Sequence, residues 1–431
     1  MSRRRLPILA LFLCAGPLSA QDLRSVVQKL FQFGTGCDTV PLCLYPDLGA
    51  AHGTHFNTAL TTGQTSLIGF LTDAIGASVS DVPISATSSG ATLTFVGGLP
   101  VKTSVSAGPV FGERSQTLGR NKLLVGANVT GISFQSLRGV PLHSIVFNFT
   151  HVRGANDTLG SPAFENDVFE LRPNIDVSIT VASLFVTYGL LDRVDVSVAV
   201  PLARTAVSGF SVGAIRPFGP GSPHFFGNSS ADSLPTKRFQ DTSIVSGTAT
   251  GIGDIAARLK INLTQSDRGG LAVLVDARLP TGDENNFLGS GHLSVRGLGI
   301  WSARFGDFSP HGNVGYLYRS GGKQNSALLG TFGFDQLIAP WATMAVDVIT
   351  QYEVGTTKLQ LPGIVTIQVP AVRTVQTANI PNQRDHIVNG SVGFKFTTTG
   401  GITILANSLF PIRKAGLQAN VVWTVGAEHN F

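Results

Sequence analysis

The sequence predicts an all-β fold: a transmembrane antiparallel up-and-down β-barrel with a partly helical plug at its N-terminus. Three observations predict it: a shortage of charge, a hydrophobic period of two residues after about residue 92, and an aromatic residue at the end of the chain. Only 13% of the 431 residues are charged, against about 25% in soluble domains. No later apolar run reaches the roughly 18 residues that a membrane-spanning helix needs. Two classes remain, a glycine-rich soluble β protein and a membrane barrel.

Residues 1–20 have the pattern of a cleaved secretory signal peptide, with three arginines at positions 3–5, an apolar run, and Leu18-Ser19-Ala20 before the expected cleavage site. The chain has 31 basic and 26 acidic residues, so removing the three arginines leaves 28 basic residues and a net charge of about +2. The pI of 9.2 thus comes partly from a discarded segment. It gives no argument for a nucleic-acid partner.

Two cysteines, Cys37 and Cys43, remain after the signal peptide is removed. They lie close together in an exported chain, and an oxidising compartment pairs neighbouring thiols. We expect a local disulfide between them. The alternatives are two free thiols or an adventitious metal site, although the chain has no further cysteine to complete a zinc site.

Residues 21–90 are predicted to fold apart from the barrel, on its periplasmic side or inside it as a plug. Asp22 is placed as an N-cap and Gly34 as a stop signal around a short amphipathic helix. Its apolar positions are Leu23, Val26, Val27, Leu30 and Phe31. A weaker helical pattern covers residues 57–75, and a serine-rich linker follows at 77–90. The barrel itself is assigned to residues 91–431.

From residue 92 onward, apolar and polar residues alternate. The run from Val194 to Val200 places four valines on one face, as a strand with one apolar side does. Such segments run for about 9 to 15 residues, long enough for a tilted membrane strand. A soluble sandwich would show the same alternation, with its charges on the outer faces. Full charges in mid-strand favour the barrel, because a wet lumen tolerates them.

Six charged residues are predicted to face the lumen: Arg258, Lys260, Asp276, Arg278, Arg296 and Asp195. On neighbouring strands, opposite charges can pair across the sheet. As a functional group they would make the pore selective for anions. As a structural group they would hold the wall and the plug together.

The last strand carries an expected assembly signal. Trp423, Val425 and Phe431 lie on its apolar face, and the chain ends in phenylalanine. This pattern resembles the C-terminal signal that the outer-membrane barrel assembly machinery recognises. His429 departs from it, because an aromatic residue is usual two places before the end.

Connections between strands should alternate between outer loops and inner turns. Counting them back from Phe431 predicts about fourteen strands, with twelve as the alternative. The expected outer connections are near 411–416, 354–383, 319–326, 281–291, 206–250 and 153–167. The expected inner turns are near 397–400, 337–340, 306–310, 264–270, 189–192 and 136–141. The count of fourteen requires a first strand at residues 91–101, and twelve leaves that hairpin outside the wall. Both counts are even, as in bacterial barrels.

Four stretches, at residues 108–126, 188–202, 251–263 and 271–291, resemble the outer-membrane family described as "Putative MetA-pathway of phenol degradation". The likeness extends over most of the chain after residue 90. It implies a barrel related to long-chain fatty acid transporters that passes aromatic or other hydrophobic compounds. The motifs define a scaffold and contain no catalytic set.

Phenylalanine is the abundant aromatic residue, with 27 copies beside 3 Trp and 5 Tyr. Phe31, Phe33, Phe56 and Phe70 are predicted to line a plug or an apolar ligand path, although simple packing of loops is an equal alternative. We expect an outer-membrane channel for small hydrophobic compounds, with no cofactor and no enzymatic activity. The alternatives are a surface barrel that binds partners without transport, and an outer-membrane hydrolase. The expected partners are outer-membrane lipid, the assembly machinery and a hydrophobic ligand.

Overall fold

The computed structural model describes most of the chain after the predicted signal peptide. The described residues are 22–34, 41–45, 54–80, 93–96, 99–102, 106–151, 167–218, 223–227, 237–266, 269–361, 363–367 and 372–431. The signal peptide and Cys37 lie outside these ranges.

Two helices come before the strands. They are α1 (Leu23–Lys29) and α2 (Thr54–Ser80). Asp22 caps α1 as expected, because its side chain accepts hydrogen bonds from the backbone N–H groups of Arg24 and Ser25. The second helix is longer than the predicted 57–75 and takes in the start of the predicted serine-rich linker. Neither described helix is long and apolar enough to cross a membrane.

Nineteen strands follow among the described residues. They are β1 (Leu93–Val96), β2 (Leu99–Lys102), β3 (Leu123–Leu137), β4 (Val140–Pro141), β5 (Phe147–Phe149), β6 (Asp167–Leu191), β7 (Val194–Pro217), β8 (Gln240–Ile252), β9 (Ala256–Ser266), β10 (Gly269–Arg278), β11 (Ser294–Ala303), β12 (Phe308–Arg319), β13 (Ala327–Ala339), β14 (Ala342–Glu353), β15 (Ile364–Ile367), β16 (Arg373–Gln376), β17 (Ile387–Thr397), β18 (Ile402–Arg413) and β19 (Leu417–Asn430).

The wall is a closed antiparallel barrel. Its order is β3, β6, β7, β8 with β9, β10, β11, β12, β13, β14, β17, β18 and β19, and β19 pairs with β3 to close the ring. β8 and β9 pair with β7 one after the other, so together they make one wall strand that is interrupted at residues 253–255. Within the described residues the wall therefore has twelve strands.

The predicted barrel is confirmed, with the smaller of the two strand counts. The extra strand expected at 91–101 is wrong, because β1 and β2 pair with each other in a separate two-stranded sheet. The inner turn expected at 136–141 is also wrong. Leu137 pairs with Leu417, at the end of the barrel opposite Phe431. Both errors lie at the N-terminal end of the barrel, and the count begins at the other end of the chain, at Phe431. The direction of every later strand is therefore as predicted.

We call the end of the barrel at Phe431 the inner end and the opposite end the outer end. The polarity of the wall reverses partway along its tallest strands. Toward the inner end, the exposed face carries the apolar neighbours Ala182, Leu202 and Ile252; one step outward it carries Thr180, Arg204 and Thr250. The inward face changes in the opposite sense, from Ser183 and Thr187 to Val181 and Ile179. Below this level β6 has about ten residues, 182–191, which is the length of a membrane strand, and every second one faces outward. Above this level the outward side chains of β6 are polar, as on the surface of a soluble protein.

The apolar inner face of the upper wall is filled by the N-terminal helices. A single large cluster of buried side chains joins α1 and α2 to β3, β5, β6, β7 and β8 and to the outer loops. We call this cluster the outer core. Because β7 and β8 continue to Pro217 and from Gln240, the outer connection between them is 218–239, shorter than the predicted 206–250. Hydrogen bonds fix α1 in place, with Ser211 donating to the carbonyl of Leu30 and Arg24 N–H donating to the carbonyl of Asn285 at 2.9 Å.

Candidate functional site

Residues 106–118, which we call the lumen segment, cross the inside of the barrel toward its inner end. Their backbone N–H groups donate to side chains of the wall: Ala107 to Thr343 Oγ1 at 3.0 Å, Glu113 to Asn313 Oδ1 at 2.7 Å, Ser115 to Ser302 Oγ at 3.0 Å and Leu118 to Asp195 Oδ2 at 2.9 Å. The lumen segment is extended but, within the described residues, has no neighbouring strand to accept these hydrogen bonds. Polar side chains of the lumen accept them and so satisfy the backbone N–H groups.

The lumen segment passes very close to the wall at Gly112. A Cβ atom at this position would lie 2.3 Å from Nε2 of His311. Glycine is therefore the residue that allows the segment to lie against that imidazole.

Five of the six predicted lumen charges meet in one network. Asp276 accepts hydrogen bonds from Arg258 Nε at 2.7 Å, Arg278 Nε at 3.1 Å and Arg296 Nη2 at 2.7 Å. Glu113 of the lumen segment accepts from Arg258 Nη1 at 3.0 Å and from Lys260 Nζ at 3.5 Å. We call this group the charge network. Asp195, the sixth residue, borders the network, because it lies directly opposite Lys260 across β7 and β9, and its carboxylate accepts from the backbone N–H of Leu118. Glu113, which lies on none of the predicted strands, links the lumen segment to the wall.

A second set of charges holds the other side of the lumen segment. Arg114 forms a bidentate ion pair with Asp335, with Nε to Oδ1 at 3.2 Å, and Ser106 donates to the same carboxylate. Nearby, His311 Nε2 and Asp347 Oδ1 are 2.7 Å apart. Both ends of the segment are thus tied to opposite walls, and it forms a floor across the lumen.

Between this floor and α2 lies a cavity of about 270 Å³, which we call the lumen cavity. Phe70, Ala74 and Ala77 of α2 form its roof, and Val110, Phe111 and Glu113 form its floor. Apolar wall residues that face it include Leu298, Leu317, Leu329, Ile349 and Leu409. The cavity therefore lies between a roof and a floor that are formed by parts of the chain outside the wall.

The lumen cavity has one cationic side. Among its described lining residues, four arginines (Arg258, Arg278, Arg296 and Arg319) face three carboxylates (Glu113, Asp276 and Asp385). Asp385 also forms an ion pair with Arg138, at 2.9 Å. The local balance is positive, so the cavity can hold an apolar body on one side and an anionic group on the other.

The predicted phenylalanines separate into two places. Phe70 reaches the lumen cavity, and the guanidinium of Arg138 lies 5.6 Å from the centre of its ring. Phe31, Phe33 and Phe56 are fully or nearly fully buried in the outer core, where the rings of Phe33 and Phe169 are 5.5 Å apart at their centres. Only Phe70 is placed to touch a ligand in the cavity.

The remaining predicted residues lie away from the cavity. Trp423, Val425 and Phe431 have 48%, 48% and 71% of their surface exposed, on the outward face of β19. The ring of His429 packs edge-on against Phe431, with 4.5 Å between the ring centres. The imidazole thus makes a ring contact at the position where the expected signal has an aromatic residue. Cys43 is disulfide-bonded; Cys37, its predicted partner, lies outside the described residues.

Comparisons with known proteins give a family match and distant structural likenesses. Residues 163–410 match the model of the family described as "Putative MetA-pathway of phenol degradation". No curated protein matches the chain. An outer membrane channel from Pseudomonas putida F1 has 13% identity and a TM-score of 0.44, and the match covers 74% of this chain and 98% of that one. For a FadL homologue from Pseudomonas aeruginosa the values are 10%, 0.29, 73% and 89%. For the toluene transporter TbuX from Ralstonia pickettii they are 9%, 0.28, 78% and 97%.

Proposed function

Since the chain belongs to the family described as "Putative MetA-pathway of phenol degradation", we propose that it carries small hydrophobic compounds, aromatic or fatty-acid-like, inward by diffusion. It is a β-barrel of the outer membrane. The observation that carries the proposal is the lumen cavity, which lies between a roof and a floor that are not part of the wall. A ligand site inside a membrane barrel is suited to passing compounds from one end to the other.

The size and lining of the lumen cavity support a small ligand. An apolar cavity of roughly 150 Å³ binds benzene, and this cavity is larger, at about 270 Å³. Its arginines favour fatty-acid-like or aromatic acids over neutral hydrocarbons, because a carboxylate pairs well with guanidinium groups. The apolar roof and walls would hold the rest of the molecule.

Passage requires the roof or the floor to move. We propose that residues 22–80 act as the plug from the outer end and that the lumen segment acts as a second barrier below the cavity. A ligand that enters displaces one barrier at a time, so water and ions never meet an open pore.

A cavity-filling variant tests the proposal. Purified protein in liposomes is given a labelled medium-chain fatty acid, benzoate or toluene, and uptake is timed. Ala74→Trp places an indole in the roof of the lumen cavity and should lower uptake at least tenfold. Ala127→Trp, on the outward face of β3, is the matched control and should transport like the wild type. Equal uptake by both variants would contradict transport through the cavity. The absence of uptake by the wild type would also contradict it and is the result expected of a barrel that only binds partners.

We also propose that the C-terminal strand is recognised by the barrel assembly machinery. The exposed apolar side of β19, from Val421 to Phe431, supports this. A test of Phe431 is given in the Discussion.

A further inference from the structure

Three buried polar side chains converge at the outer end of the barrel, far from the lumen cavity. His151 follows β5, Asp167 is the first residue of β6, and His224 lies in the described part of the β7–β8 connection. All three have at most 3% of their surface exposed. Three parts of the chain that are distant in sequence thus bring two imidazoles and one carboxylate into one closed pocket.

The donor atoms face one another. His151 Nε2 lies 2.8 Å from Asp167 Oδ1, and His224 Nδ1 lies 3.0 Å from Asp167 Oδ2. One donor atom from each residue falls within 4.8 Å of the other two. Around a zinc ion the bonds to histidine nitrogen and carboxylate oxygen are about 2.0–2.2 Å long. Two ligand atoms on one ion are therefore at most about twice this length apart, which is comparable with the separations of these three donor atoms.

The carboxylate is ready to act as a ligand. Burial alone would raise the pKa of Asp167, but the hydrogen bonds from His151 and His224 hold it well below its usual range. The backbone N–H of His224 also donates to Asp167 Oδ2, at 2.6 Å. These hydrogen bonds hold the carboxylate of Asp167 in one orientation.

The surroundings favour a transition metal over calcium or magnesium. The ring of Phe56 in α2 lies 4.2 Å from the ring of His151 and 5.7 Å from that of His224, between ring centres. Hard cations prefer six or more oxygen ligands, whereas two imidazoles and one carboxylate are typical of zinc and its neighbours. Phe56 packs against both imidazole rings from the side of α2.

We propose that His151, Asp167 and His224 form a site for a zinc-class divalent cation that fastens the β7–β8 connection and the upper wall around α2. On metal binding, the proton on each ring nitrogen that donates to Asp167 leaves to solvent, and the other nitrogen of the same ring takes up a proton. Each imidazole thus stays neutral, and the freed lone pair binds the ion. Water completes the coordination. Bound metal joins the segment after β5, the start of β6 and the β7–β8 connection in one place against Phe56 of α2, and so stabilises the outer end of the barrel.

The test is metal binding by the full, untagged mature chain in detergent, because a polyhistidine tag would itself bind zinc. After treatment with a chelator, Zn²⁺ is titrated by calorimetry, and Co²⁺ is added in parallel to read the coordination from its visible spectrum. We expect one ion per chain, with a rise in Tm on binding. Absence of stoichiometric binding by the wild type, together with no change in Tm, would overturn the proposal.

Single variants locate the site. His151→Ala and His224→Ala should each weaken Zn²⁺ binding at least tenfold and change the Co²⁺ spectrum. His143→Ala is the matched control, since His143 lies on the neighbouring β4–β5 connection and is exposed; it should bind like the wild type. Asp167→Asn keeps the size of the side chain and serves where an alanine variant fails to fold. Unchanged binding in folded Asp167→Asn and His224→Ala would place the metal elsewhere and refute the assignment.

Discussion

At the scale of single residues, the lumen is organised by a few acids that each serve several cations. Asp276 accepts from three arginines, and Glu113 connects the wall to the lumen segment. The sequence predicted that charges on β9, β10 and β11 face the lumen. It could not predict their partner in residues 106–118, because a contact between an irregular segment and a strand leaves no periodic pattern.

Replacement of Asp276 should be costly. Asp276→Asn leaves Arg258, Arg278 and Arg296 without their shared carboxylate, and breaking a buried ion pair costs about 3–5 kcal/mol. Urea unfolding in detergent, followed by tryptophan fluorescence, measures the loss. Asp176→Asn, at an exposed position of β6, should change the free energy of unfolding by less than about 0.5 kcal/mol. Equal effects of the two variants would show that the charge network contributes little to stability.

A substitution of Phe431 tests the assembly of the barrel in cells separately from its stability. Phe431→Ala should lower the amount of folded barrel in the outer membrane several-fold, because we propose that Phe431 is part of the signal that the assembly machinery recognises. Folding of the same variant from urea into lipid vesicles should stay close to that of the wild type. Phe394→Ala, another exposed phenylalanine of the wall, is the control for cells. Normal membrane levels of Phe431→Ala would remove the proposed recognition signal.

At the scale of elements, an alternating pattern shows that a strand has two faces, but it does not show which face meets lipid. The sequence treats Ile175–Val181 and Val194–Val200 alike. In the structure the first set faces the outer core, and Val198 and Val200 are exposed on the outside. What separates them is the height at which each run crosses the membrane boundary, and that depends on pairing across the wall. For the same reason, the sequence predicted an outer connection at 206–250 that includes the ends of β7 and β8.

A pair of arginine substitutions on β6 locates this boundary. Val186→Arg puts a charge on the lipid-facing part of the strand, where it should cost about 2–4 kcal/mol near the middle of the bilayer. Ser178→Arg lies on the same outward face above the boundary and should change stability by less than about 0.5 kcal/mol. Unfolding in lipid vesicles measures both. Similar costs at the two positions would contradict the reversal of polarity.

At the scale of the whole molecule, α2 and the lumen segment lie inside the barrel on either side of the lumen cavity. The prediction of one N-terminal plug accounts for the roof, and the floor came as a finding of the structure. Strand directions were predictable because alternating inner and outer connections constrain one another along the chain. The strand total was not predictable, because β1 and β2 have the composition of wall strands, although each has only four residues and they pair with each other.

A reversible tether on the floor tests whether it moves. Val110 and Ala345 pack together in a small buried cluster, so Val110→Cys with Ala345→Cys should allow a disulfide between lumen segment and wall. Uptake of the labelled acid should fall at least tenfold under oxidising conditions and return with a reductant. The single Val110→Cys variant and the wild type, given the same reductant, control for effects on the native disulfide of Cys43. Unchanged uptake in the oxidised double variant would mean that ligands pass without moving the floor.

The reversal of polarity along β6, β7 and β8 has a consequence for what lies outside the cell. Residues 167–180 of β6 rise above the lipid-facing band, about 45 Å of strand at roughly 3.3 Å per residue. Most surface-exposed parts of membrane barrels are loops, but here the exposed part is hydrogen-bonded sheet with a polar outer face and a filled core. Antibodies, phages and proteases therefore meet a rigid, folded epitope on one flank of the molecule, and heat or detergent that melts the sheet should abolish their recognition of it.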